Sequence, residues 1–206
     1  MDSLLTTVTP ATVTALTDVQ SVQLELGLSG TTEAGYLRQQ IAQASAAISA
    51  WCGRVFARET VSEVWRLDSC VESLSLTRFP VATIASVTED GTALASTDYE
   101  MDAASGLLFR LSSDERTTWR ARKITVQYTG GYLLPDQSGR TLPHDIQRAC
   151  ILMVSAAYLA RGRDPMLRSE SAQDVGSASY LDPRAGMEAM PPQAAALLQP
   201  YRVFTV

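Results

Sequence analysis

Between Arg78 and Gly162 the chain reads Arg78-Phe79-Pro80-Val81, Ser86-Val87-Thr88, Asp90-Gly91, Asp98-Tyr99 and Gly106-Leu107. It continues with Ile124-Thr125-Val126-Gln127-Tyr128-Thr129-Gly130-Gly131-Tyr132 and then a helix opened by Pro143. Each piece is a strand, a turn or a helix cap. Ile124, Val126 and Tyr128 alternate with Thr125, Gln127 and Thr129, the period of a half-buried strand, and Gly130-Gly131 ends it. Asp90-Gly91 is a hairpin turn, because both residues tolerate positive φ. Residues 99–102 and 107–111 make a second hairpin around 103–106. Upstream, residues 64–67, 73–76 and 82–88 also alternate with period two. Residues 59–132 are therefore expected to form a small, mostly antiparallel β unit.

On either side the period lengthens to three and four. Leu37, Ile41, Ala44, Ile48, Trp51 and Cys52 make one apolar stripe over 33–52, with Gly53 placed for a left-handed cap. Pro143 suits a first helical turn, where its missing amide costs nothing, and Ile146, Ala149, Cys150, Met153, Val154, Ala157 and Tyr158 form a second stripe ending near Gly162. Thr17 or Asp18 can cap a short helix over 17–26, and 27–32 breaks it. Burying the two long stripes on one another is the economical arrangement. The expected fold is α+β: a helical core of helices 17–26, 33–52 and 143–162, with the β unit inserted, after a flexible lead-in over 1–16.

Residues 163–206 differ in character. They hold five of the nine prolines and no sustained periodicity until a short helix at 193–198, closed by Pro200. The last six residues, Tyr201-Arg202-Val203-Phe204-Thr205-Val206, are apolar and β-prone, and such a segment needs a partner. The region is expected to be an extended arm rather than a third domain.

With 206 residues and 46% hydrophobic content, the chain can build one core with an appendage. No apolar run approaches the ~20 residues of a membrane span. Residues 1–16 lack the pattern of a signal peptide, which implies synthesis in the cytoplasm. The net charge of −5 argues against affinity built on phosphate neutralisation. Arg outnumbers Lys, with Lys123 the single lysine; GC-rich codon usage is the favoured explanation, and Arg also suits fixed interfaces through its planar donors. Cys52, Cys70 and Cys150 are too scattered for a disulfide framework or a zinc site, and Cys52 and Cys150 fall on apolar helix faces.

Catalytic signals are missing from the sequence. The single histidine, His144, adjoins Asp145 at a helix start, where neighbours do not face each other. Glu89-Asp90 and Asp114-Glu115 lie beside turn signals and read as solvated loops. No nucleophile elbow, P-loop or dinucleotide fingerprint occurs. Arg116, Arg120, Arg122 and Lys123 form a local basic cluster around Trp119. Such a cluster suits nucleic-acid stacking, but a solvated strand edge or subunit contact fits the acidic whole better. No catalytic, cofactor-binding or metal-ligating residue is assigned.

Over residues 17–202 the ordered pieces resemble the head–tail connector (adaptor, or head-completion) proteins of tailed bacteriophages, including the adaptors of gene transfer agents. The resemblance is carried by Ala50-Trp51-Cys52-Gly53-Arg54, Arg78-Phe79-Pro80-Val81, Ser86 to Gly91, Asp98-Tyr99, Tyr128 to Tyr132, Leu142 to Ile146 and Tyr158-Leu159-Ala160-Arg161. Within the arm, Ser169-Glu170-Ser171, Gly176 to Tyr180 and Leu198-Gln199-Pro200-Tyr201-Arg202 add to it.

The resemblance implies a structural, non-enzymatic ring, usually of twelve copies, docked beneath the portal protein at the head–tail interface of the virion and assembled in the host cytoplasm. The ring would extend the DNA channel, with DNA passing through without specific binding, and present a platform to the next neck or tail component, a stopper or tail terminator. It also implies that 163–206 is a portal-binding arm attached to a connector domain over 17–162. From the residues, Leu197, Leu198, Tyr201, Val203 and Phe204 are the candidate anchors, by helix-in-groove or strand-addition contacts. Alternatives are a stopper or tail-completion protein, a small-molecule-binding module or enzyme, and a DNA-binding accessory protein. The two long helices count against the first, the lack of convergent polar groups against the second, and the acidic charge against the third.

Overall fold

The computed structural model describes residues 3–161, 169–172, 176–179 and 190–203. The chain forms two compact units, one built from 3–14 with 53–142 and the other from 15–52 with 143–203. The two larger sheets belong to the first unit, and the α-helices with a two-stranded hairpin to the second.

The first unit contains β1 (Ser3–Thr9), β2 (Glu59–Arg66), β3 (Ser73–Ser75), β4 (Val81–Glu89), β5 (Thr92–Ala93), β6 (Tyr99–Asp102), β7 (Leu107–Ser112), β8 (Glu115–Thr117) and β9 (Lys123–Gly130). A five-stranded antiparallel sheet runs β1-β2-β9-β4-β5, and a four-stranded one has β7 paired with β3, β6 and β8. In the first sheet Val61 lies opposite Tyr128, Glu63 opposite Val126 and Trp65 opposite Ile124, and all six are buried. The period of two therefore sends one face of β2 and β9 inward. Val61, Trp65, Val126 and Tyr128 from this sheet meet Leu74 and Leu108 from the other in one hydrophobic core. Asp90 (φ 46°) and Gly91 (φ 90°) make the β4–β5 turn, and Ser113 (φ 54°) with Asp114 (φ 67°) makes the β7–β8 turn. The acidic residues at both sites are turn residues.

The expectation of a helical core around a small β unit is corrected. The fold is α+β, but nine strands in two antiparallel sheets dominate it, and the four α-helices among the described residues are 8, 19, 16 and 7 residues long. Periodicity weights a long stripe heavily, whereas β2, β3, β4, β7 and β9 fully bury only one to three apolar side chains each and β1, β5, β6 and β8 bury none. Residues 1–16, read as a flexible lead-in, carry β1 and the buried Leu16.

In the second unit, α1 (Val19–Leu26) is capped by Asp18, whose carboxylate accepts from Ser21 N–H at 2.7 Å. Then α2 (Ala34–Cys52) buries Leu37, Ile41, Ala44, Ile48 and Cys52, and α3 (His144–Leu159) buries Ile146, Ala149, Cys150 and Val154. Strands β10 (Ser169–Ala172) and β11 (Gly176–Ser179) pair as an antiparallel hairpin, and α4 (Pro192–Leu198) follows. Among the described residues, no helix is long and apolar enough to cross a membrane.

All three cysteines are reduced, with Cys52 and Cys150 buried and Cys70 exposed. Burial pushes the Cys150 thiol up to about 12, against a smaller opposite effect of Ser45. Alkylation needs thiolate and access. The native protein is therefore expected to label rapidly at Cys70 alone at pH 8, and at all three cysteines in denaturant, as read by mass spectrometry. Rapid native labelling of Cys150 would contradict the packing.

Candidate interaction surfaces

The motif residues that the sequence spreads along the chain meet in space. Arg54 is buried, with its guanidinium 3.8 Å from the Phe79 ring centre, 5.1 Å from that of Phe56 and 5.9 Å from that of Tyr132. It also donates to the Phe79 carbonyl. The Gly131 N–H donates to Pro80 O at 2.9 Å, and Tyr132 N–H to Phe56 O at 2.7 Å. Arg78 pairs with Glu59 at 3.0 Å. In the second unit Arg161 lies 4.6 Å over the Tyr36 ring and pairs with Glu33. These residues tie the chain to itself, and cation–π stacking in a desolvated setting contributes about 2 kcal/mol.

Sequence reading passed over Glu63. It is wholly buried. Its carboxylate accepts from Ser3 Oγ at 2.6 Å, Thr77 Oγ1 at 2.5 Å, Thr77 N–H at 3.1 Å and Tyr128 OH at 2.7 Å. Burial first, and then the Glu63 charge, hold the Tyr128 phenol well above its usual range, so it remains a donor. The signal was available: Glu63 sits at an inward position of the β2 alternation, between Val61 and Trp65. The network is structural, binding β1 and the 77–78 segment to the sheet.

The basic cluster does not gather around an exposed ring. Trp119 is fully buried and donates its indole N–H to Leu108 O at 3.2 Å. Arg116 pairs with Glu100 at 2.8 Å and covers the Phe109 ring at 4.0 Å. Arg120, Arg122 and Lys123 are exposed, while the Asp90 carboxylate accepts from the Lys123 N–H at 2.8 Å. Without Trp119 the stacking platform for nucleic acid is missing. Among the described residues, no group of three His, Cys, Asp or Glu gathers for a metal.

The candidate anchors near the C-terminus separate into different environments. Leu198 is completely buried, as is Ala194, with Met190 nearly so. Leu197 and Tyr201 are half-buried, and the Tyr201 hydroxyl lies 3.4 Å from Asp145. Val203 is 39% exposed, although its N–H donates to Cys52 O at 2.8 Å. Arg202 lies 4.4 Å over the Trp51 ring. Phe204 lies outside the described residues. The expected extended arm is thereby corrected over 190–203, which fold onto the chain's own helices. A buried leucine side chain contributes about 1.5–3 kcal/mol, reason enough for Leu198 to turn inward.

The head completion protein family matches residues 15–204. The chain belongs to that family. Its role as a head completion protein is structural. Three solved structures share its fold. A chain in the neck of the empty gene transfer agent particle, computed with C6 symmetry, is 20% identical with a TM-score of 0.57. One from the native neck, computed with C12 symmetry, is 20% identical with a TM-score of 0.55. One from the native virion is 19% identical with a TM-score of 0.58. Each match covers 98% of this chain and 97% of the other. No curated protein matches.

Strand β1 of this head completion protein is largely exposed, with Leu4 62% and Val8 50% exposed. Beside its start, a cleft of about 680 Å³ opens against the end of β2 and the 67–71 segment, lined by Ser3, Leu4, Val64, Arg66, Asp68 and Val71.

Proposed function

We propose that the protein is the adaptor subunit of a neck: a ring of twelve copies beneath the portal protein, with the next neck or tail component, a stopper or tail terminator, on its far side. DNA passes through the ring without specific binding. The protein acts as a fixed structural part rather than an enzyme, and it joins the virion in the host cytoplasm. The observation that carries this reading is the family match from residue 15 to 204, supported by the common fold with chains of a neck computed with C12 symmetry. The acidic balance of 17 basic to 22 acidic residues supports passage of DNA without adhesion. Buried Trp119 agrees with it.

Portal docking is assigned to the end of the chain, with Leu197, Tyr201, Val203 and Phe204 as contact residues and Leu198 holding α4 in place. The direct test is imaging of portal-bearing capsids with and without the purified protein, where added protein is expected to give a ring of twelve at the portal vertex. A bare vertex at saturating protein would sink the reading. Removing residues 203–206, which leaves Leu198 and its packing intact, is expected to lower vertex occupancy at least tenfold, or about 1.4 kcal/mol. Unchanged occupancy would move the portal contact elsewhere.

A further inference from the structure

We propose that the five-stranded sheet joins neighbouring copies edge to edge: β1 of one copy pairs with the Ala82–Ser86 edge of β4 in the next. The inference rests on the ring reading above and names the surface that closes the ring.

The sheet order β1-β2-β9-β4-β5 leaves β1 without a strand on its outer side among the described residues. Seven residues long, Ser3–Thr9 carries no charged side chain and no proline. Natural proteins blunt an open edge with charges, proline, a short strand or a cover. Here the only such device is one register shift near the end, between Thr7 and Thr9. Leu4 and Val8 instead present apolar side chains to solvent.

Among the described residues the opposite end of the sheet is open as well. Strand β5 pairs only with Thr88 and Glu89 of β4. The Val81 N–H is taken by Ala103 O at 2.8 Å, and Val87 O by the Leu94 N–H at 2.9 Å. Between them, Ala82, Thr83, Ala85 and Ser86 are exposed. The stretch from Val81 to Thr88 is uncharged too. Two register shifts against β9, between Val81 and Thr83 and between Ile84 and Ser86, give this edge an irregular profile. Bulges of this kind limit pairing to a partner of matching register.

One sheet therefore offers two different neutral edges. A head-to-tail contact between unlike patches makes a ring when its rotation closes, whereas a self-complementary patch stops at a dimer. Charge fits the same assignment: in a chain with 19% charged residues, both edges are free of them, so neither repels the other nor keeps its backbone in water. Each joint would satisfy backbone groups that the single copy leaves to solvent.

The test uses the full chain with Cys70→Ser, which removes the exposed thiol, and with Thr6→Cys and Thr83→Cys, both at exposed positions. The protein is loaded onto portal-bearing capsids, treated with a short bismaleimide and resolved on a denaturing gel. The expected result is a ladder beyond the dimer from the double variant, and no cross-link from either single variant. Dimers from Thr6→Cys alone would mean β1-to-β1 pairing and would overturn the inference. A ring seen by imaging without any ladder would overturn it while leaving the ring reading intact, and absence of any ring would defeat the ring reading itself. A second measurement uses Leu4→Lys with Val8→Lys. Vertex occupancy is expected to fall at least tenfold while the melting temperature of the unassembled protein stays unchanged.

Discussion

Gly130→Ala is expected to prevent the β unit from folding. A Cβ at Gly130 would lie 2.0 Å from the Arg78 carbonyl oxygen, 2.8 Å from its carbonyl carbon and 3.0 Å from its Cβ. Two of those neighbours are backbone. The 78–80 segment cannot retreat, because the Gly131 N–H donates to Pro80 O, the Arg78 N–H donates to the Tyr128 hydroxyl and Arg78 pairs with Glu59. Relief would require parting β9 from β2 and β4, which pair with Gly130 at Glu59 and Val81. A loss above about 4 kcal/mol is the mark of such a site, a large share of the ~5–15 kcal/mol that keeps a domain folded. Gly35→Ala is the control. Gly35 lies in α2 with nothing within 4 Å of an added Cβ, so that change is expected to stabilise by about 0.5–1 kcal/mol. Thermal unfolding followed by circular dichroism checks both signs. A Gly130→Ala protein melting within a few degrees of the parent would mean that the close approach is wrong.

Glu63→Leu is expected to cost on the order of 4 kcal/mol. The substitution strands three side-chain or backbone donors on Thr77 and Tyr128 and a fourth on Ser3, of which the Tyr128 hydroxyl is fully buried with its residue. Each buried donor left unsatisfied costs about 1–3 kcal/mol, and relaxation of the near-surface ones lowers the sum. Glu63→Gln keeps one carbonyl acceptor and should lose less. Tyr128→Phe removes one donor of the set and should cost about 1–2 kcal/mol. Denaturant unfolding of the three variants orders them. Equal stability of Glu63→Leu and the parent would show the network to be energetically idle. Alkaline pH gives a further check on the same hydroxyl. Burial holds its folded ionisation above the ordinary phenol value of about 10, so its contribution is whole below that value and lost as the pH rises beyond it, because the unfolded chain ionises first.

Much of the local structure was legible beforehand. The alternation in 124–129, the Asp90-Gly91 turn, the hairpin around 103–106 and the Asp18 cap all stand close to where the residues indicated them. These features depend on backbone preferences and side chains within a few residues, so a single sequence carries them. The family was legible for a related reason: its pieces keep their order along the chain. Strands β1, β5 and β8 were missed. Strand β1 turns only Leu5 toward the core, and β5 and β8 are two and three residues long, so none leaves an alternation to read.

Partners distant in sequence were not legible. Trp119, a stacking ring among arginines only in the less favoured reading, is buried in the core between the sheets. Leu198 looked like an anchor for another protein, and the chain's own helices cover it. Arg54, Phe79 and Tyr132 were separate motif letters, and they close on one another. In each case the side chain announces an apolar or stacking surface but not what will cover it.

By itself, then, the sequence determined the strand and helix periods, the turns and caps, the family and the absence of recognisable catalytic motifs. Only the tertiary structure decided that the sheets outweigh the helices, that Glu63 is held by four donors, and that the sheet keeps two uncharged open edges. The physical reason is range. Backbone conformation is chosen by neighbours along the chain, whereas burial and pairing are chosen by residues far along it, 65 positions between Glu63 and Tyr128 and 128 between Glu33 and Arg161, and those are known only once the chain has closed on itself.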